Sequence, residues 1–179
     1  MGFKNINDIS GLFSKCSNLI EIPDISIWNI NNVKNLSFLF NECSSLKALP
    51  DISKWKTNNV INMSHLFQGC LSLQSLPALS EWNVDKVNNL SHLFSNCPLL
   101  TFFPDISSWN INNVNDISYL FYGCSSLESL PDISKWNIFN VINMKFLFGK
   151  CSNLKSLPDI SKWNLDKVNS IEGLFFECS

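Results

Sequence analysis

WKTNNVINMSHLFQGCLSLQSLPALSE, residues 55–81, decides the fold, because nearly the same 27 letters are written again on both sides of it. Trp28, Trp55, Trp82, Trp109, Trp136 and Trp163 stand 27 apart, and Cys16, Cys43, Cys70, Cys97, Cys124, Cys151 and Cys178 keep that interval without a slip. A fixed period of this size marks stacked units, none of which can bury its apolar face alone. Cutting at each Trp gives units 1–27, 28–54, 55–81, 82–108, 109–135 and 136–162 and a partial unit 163–179, read as one solenoid domain over 1–179.

Within a unit, Val60, Met63, Leu66 and Phe67 are spaced 3, 3 and 1, which predicts one face of a short helix. Asn58 and Asn59 stand where N-cap residues belong, and Gly69 where a C-cap does. Cys70, Leu73, Leu76 and Pro77 then predict a short parallel strand ended by proline, which cannot donate to a ladder. One strand and one helical crossover per unit imply an α/β, leucine-rich-repeat-like solenoid, curved with its strand face concave. The return segment 51–55 is expected to turn on Asp51 and Ser53, with Ile52 inward and the tryptophans stacked as a spine.

The recurring W-N-x-x-x-V-x-x-[ML]-x-x-L-F-x-x-C-x-x-L-x-x-L-P-D-I-S resembles the BspA-like leucine-rich-repeat surface proteins, in the branch found in mycoplasma lipoproteins, over the whole chain. That resemblance implies a leucine-rich-repeat-like solenoid with a role in binding or adhesion. It brings no shared catalytic residues. Surface display is what the resemblance implies for localisation. A chain beginning at Met1 without an apolar leader reads as cytosolic if complete, and end units that look like interior ones read as a slice of a longer array.

Composition narrows the partners. All 13 basic residues are lysines against 15 acids, so no basic stripe is available for a phosphate backbone and nucleic acid is not expected. The longest apolar runs fall far short of a membrane span. Seven cysteines evenly spaced lack the close pairs a zinc site needs, and are expected to form a ladder of buried free thiols. His65 and His92 share one position in adjacent units, which otherwise holds Gly11, Phe38, Tyr119, Phe146 and Gly173, and read as a tolerant exposed site and not a metal centre. Asp24, Asp51, Asp105, Asp132 and Asp159 read as turn formers, at most one per unit in a column broken by Ala78, too sparse for calcium. Asn35-Leu-Ser37, Asn62-Met-Ser64 and Asn89-Leu-Ser91 match glycosylation sequons but fall at one repeat position, as a pattern coincidence would. No nucleophile, base and orienter can be assembled, so no catalytic site, cofactor or metal is expected.

Specificity must therefore lie where the repeat varies. Lys47, Gln74, Thr101, Glu128 and Lys155 form a changing outward column, beside which Pro98-Leu99-Leu100-Thr101-Phe102-Phe103-Pro104 breaks a small-polar habit. Leu99 and Phe102 are surplus to the core pattern and are expected to anchor a protein partner, with the column around them. The competing reading is that Phe102 and Phe103 repack locally around Ala78. The function expected is a non-catalytic protein–protein interaction or adhesion module; the alternative is a structural array self-associating end to end through uncapped units.

Overall fold

The computed structural model describes residues 5–178. Each unit is one coil, numbered 1 to 7, and residues 27 apart lie over one another in columns, named here by their member in coil 3. Parallel bridges join the coils along the column Asp8–Asn35–Asn62–Asn89–Asp116–Asn143–Ser170.

Two expectations change at this level. Among the described residues there is no α-helix, and the segment around Leu73 and Pro77 carries no strand. The continuous main-chain ladder runs instead through the stretch that periodicity reads as helical. Met63, His65, Phe67 and Gly69 donate their N–H groups to Asn89, Ser91, Leu93 and Ser95 of the next coil at 2.8–3.1 Å, and all four lines continue from coil 1 to coil 7. The intervening amides turn back locally, Gln68 onto the His65 carbonyl and Cys70 onto that of Phe67, and Ser64 onto Asn62 Oδ1. Buried amides must all be paired, and here alternate ones are paired between coils and within them.

That alternation requires left-handed backbone at two points per coil. His65 (φ 58°) and Gly69 (φ 71°) supply it in coil 3, and every described member of both columns has positive φ. Ordinary residues pay roughly 1–2 kcal/mol each for this conformation, a cost the saturated ladder holds in place. Turns closing back onto the third residue before them bury Val60, Met63, Leu66 and Phe67 completely. They therefore reproduce a helix's spacing without being one.

Inside, the coils stack like on like. The Phe40–Phe67–Phe94–Phe121–Phe148 rings lie nearly parallel at 5.7–6.0 Å. Trp28, Trp55 and Trp82 stack at 6.3 Å and Trp109 on Trp136 at 6.5 Å, the stretches of spine the sequence reading expects. The indole N–H groups of Trp55, Trp82, Trp109 and Trp136 each find a carbonyl thirty residues back, Trp82 on Ile52 at 3.0 Å, while that of Trp163 has no partner. Along the exposed end of the ladder the rings Phe38–His65–His92–Tyr119 close to 4.3–4.4 Å and widen to 5.1 Å at Phe146.

Candidate functional site

The Leu73–Pro77 side carries the variable residues. Lys47, Gln74, Thr101, Glu128 and Lys155 are all exposed, and main-chain bonds from Lys47 to Ile20, Gln74 to Lys47 and Lys155 to Glu128 hold parts of their column in register. Among the described residues no such bond joins Thr101 to Gln74 or to Glu128, so the bonds of this column lapse at coil 4, although Ser126 still donates to the Pro98 carbonyl beside it. Lys155 Nζ meets Glu128 Oε2 at 2.7 Å with both side chains largely in solvent, an arrangement that contributes little stability.

At that lapse sit the apolar departures. Phe102 is 68% exposed and Leu99 46%, while Phe103 turns inward and packs edge-on against Phe94 and Phe121 at 4.9 and 5.1 Å. Local repacking therefore accounts for Phe103 and leaves Phe102 outside.

A second feature was not recognised in the sequence. Between the Gly69 and Leu71 columns runs an open trough of about 580 Å³, lined by Lys15, Glu42, Gly69, Asn96 and Gly123 on one side and Ser17, Ser44, Leu71 and Pro98 on the other. The buried cysteines lie beneath it, because the residue between two outward positions points inward. Glu42 folds over Gly69, where an added Cβ would come within 3.2 Å of its Cγ. The available signal was that Leu71 and Pro98 replace the serines at positions 17, 44, 125 and 152. Pro98 joins the trough to Leu99, so the two apolar features are continuous.

The groups that suggested chemistry are otherwise employed. Every described cysteine is free, and Cys70 Sγ donates to the Phe40 carbonyl at 3.2 Å. Burial pushes the Cys70 thiol up to about 12, which removes the thiolate a nucleophile or metal ligand requires. Each turn aspartate accepts a bond from the serine two residues on, as Asp51 Oδ1 does from the Ser53 amide at 3.0 Å. The Ser53 hydroxyl and amide hold the Asp51 carboxyl below its usual value. The sequons are the same device, since Asn62 and Asn89 accept from Ser64 and Ser91.

The histidine position is the one the sequence misjudged. His65 and His92 are half-buried members of an aromatic stack, 4.4 Å apart and face to face. Stacked faces leave the two rings unable to converge on one ion, and no group of three ligating side chains occurs among the described residues. His65 Nδ1 lies 2.5 Å from Gln68 Oε1, whereas His92 Nδ1, facing Ser95 in the equivalent place, has no partner. Burial chiefly, with the neighbouring His65, pushes the His92 imidazole down to about 4 against the pull of Asp116.

Comparison with known proteins fits this architecture. A family model described as "Mycoplasma protein of unknown function, DUF285" matches residues 3–101 and 98–179. A crystal structure of a leucine-rich-repeat protein from T. pallidum superposes with a TM-score of 0.50 at 18% identity, covering 96% of this chain and 80% of that one. One from Bacteroides ovatus gives 0.39 at 19% identity, covering 92% and 45%. No curated protein matches the sequence. The likeness to T. pallidum supports a repeat solenoid of the leucine-rich-repeat kind. Among the described residues no helix is long and apolar enough to cross a membrane.

Proposed function

The chain belongs to the family of mycoplasma proteins of unknown function designated DUF285, and on that premise we propose that it is a non-catalytic protein-interaction module. Its contact surface is the Leu99–Phe102 strip, with Lys47, Gln74, Thr101, Glu128 and Lys155 around it. The observation that carries this reading is the exposure of Phe102 and Leu99 in columns otherwise filled by small or polar residues. Aromatic anchors surrounded by a polar rim are what protein interfaces are built on. Leu100 and Phe103, which alternate with the anchors along the chain, are packed into the core and tie the strip down, which lowers the ordering cost of binding. Adhesion is the form this role takes in the BspA-like proteins the sequence resembles, and it is part of the proposal.

The test is capture of protein partners from the source cells by the wild-type chain and by a Leu99→Ser, Phe102→Ser double variant. A partner held by the first and lost by the second, with unchanged thermal unfolding, supports the surface; equal capture refutes it. A self-assembling structural array instead requires a sedimentation coefficient that climbs with concentration in the absence of any partner.

A further inference from the structure

The trough beside the apolar strip has dimensions and a charge pattern of its own. Its two walls are columns only two residues apart along the chain, a separation of at most about 7 Å. An α-helix, ~10–12 Å across with its side chains, does not fit between them. A single extended chain does. From Lys15 in coil 1 to Gly123 in coil 5 the trough crosses four coil steps, on the order of 19 Å, which about six extended residues span.

The lining is not uniform. Leu71 is 49% exposed and, with Pro98, makes the middle of the trough apolar. At the coil 1 end stands Lys15. Lys145, Lys150 and Lys155 each meet a glutamate within 4 Å, but Lys15 has no ion pair among the described residues. Glu42 does follow it in the same column, yet its Oε1 takes a hydrogen bond from Asn41 Nδ2 at 3.4 Å and its side chain lies over Gly69. A negative group on a ligand is thus favoured beside Lys15 and disfavoured one coil further on.

The geometry points to an extended, acidic–apolar polypeptide segment as the occupant, lying along the array with an acidic side chain at Lys15 and an apolar one against Leu71 and Pro98. Leu71 lies two coil steps from Lys15 and Pro98 three, roughly 10 and 14 Å. In an extended chain these are separations of about three and four residues. The recognised pattern is therefore an acid, then two or three residues without acid, then an aliphatic or aromatic residue. This rests on the reading of the chain as a protein-binding module and adds the class of ligand that one part of its surface takes.

The probe is a library of random seven-residue peptides displayed on phage and selected on the immobilised full chain. Peptides with an acid three or four residues from an apolar side chain are expected to dominate. A synthetic peptide of the enriched sequence should bind Leu71→Ser and Lys15→Glu variants at least tenfold more weakly. Selection on the Lys15→Glu protein should replace the acid by a base. Binding of the same peptide to Leu99→Ser, Phe102→Ser protein should be retained, which separates the trough from the strip. No enrichment, enrichment without the acid–apolar spacing, or binding unaffected by Leu71→Ser overturns the proposal. Partner capture that fails with the strip variant alone upholds the strip and overturns the trough as a binding site. Both trough residues are exposed on the surface, and unchanged thermal unfolding of each variant shows that a lost affinity is not lost folding.

Discussion

Acid should find the weak point in the aromatic stack at His92. The imidazole lies between His65 and Tyr119 at 4.4 Å on either side, and its pKa is held down at about 4 against 6.5 for an ordinary histidine. The folded-state pKa is the lower one, so between these limits the unfolded chain binds more protons. Stability is complete above pH 6.5, erodes as pH falls, and reaches its full loss near pH 4. A difference of two and a half units corresponds to a ceiling of about 3.4 kcal/mol. At pH 5 the same linkage gives about 2 kcal/mol, and partial access of water to the ring brings the expectation to about 1–2. The carboxylates also begin to titrate in this range, so the measurement is a difference. Urea unfolding midpoints of wild type and His92→Phe are compared at pH 7 and pH 5. Phenylalanine occupies the same column at positions 38 and 146, so the variant keeps the stack and loses the proton. Wild type should lose about 1–2 kcal/mol more than His92→Phe over that interval. Parallel losses in the two proteins would mean that His92 is not held neutral by its surroundings.

Two further expectations concern the scaffold. Gly69→Ala places a side chain at φ 71° and against Glu42, and should lower stability by about 1–2 kcal/mol in the same urea assay, whereas a neutral effect would deny the left-handed turn. Thiol labelling should count seven free cysteines in denaturant; under native conditions the exposed Cys16 should react first and the buried Cys43, Cys70, Cys97, Cys124 and Cys151 slowly, and a count below seven would place a disulfide in the ladder.

Much of the core was legible because burial dictates spacing whatever the backbone does. Ile52, Trp55, Val60, Leu66, Phe67, Cys70 and Leu73 are all inside, as their recurrence in phase requires. What misled was the assumption that a 3-3-1 apolar pattern means a helix. Phase records which side chains are buried and is silent on which way alternate amides point; the hint lay in Gly11 and Gly173 sharing a column with His65, since glycine marks left-handed backbone. Without that cue the column read as tolerant, and the aromatic stack along it was overlooked. The exposed strip was easier to see, because Leu99 and Phe102 depart from a repeat whose other members define the norm. The trough was not, because it is formed by what lies between two columns and by the absence of side chains at Gly69 and Gly123.

The four unbroken lines of bonds between coils also set how such a chain can change length. Removing one residue between Asn62 and Cys70 would put every later amide of that coil out of step with both neighbours, and shift its left-handed positions out of register with theirs. Between Gln74 and Trp82 no main-chain to main-chain bond joins an adjacent coil among the described residues; the Leu79 and Ser80 carbonyls are tied to side chains of the next coil, but an extra residue beside the exposed Ser75 can bulge into solvent. Duplication or loss of material is therefore absorbed in quanta of 27, or as small loops on the side that carries Leu99 and Phe102. The copying machinery of a genome can lengthen the scaffold in whole coils while substitution redraws the outward residues, with neither process obstructing the other.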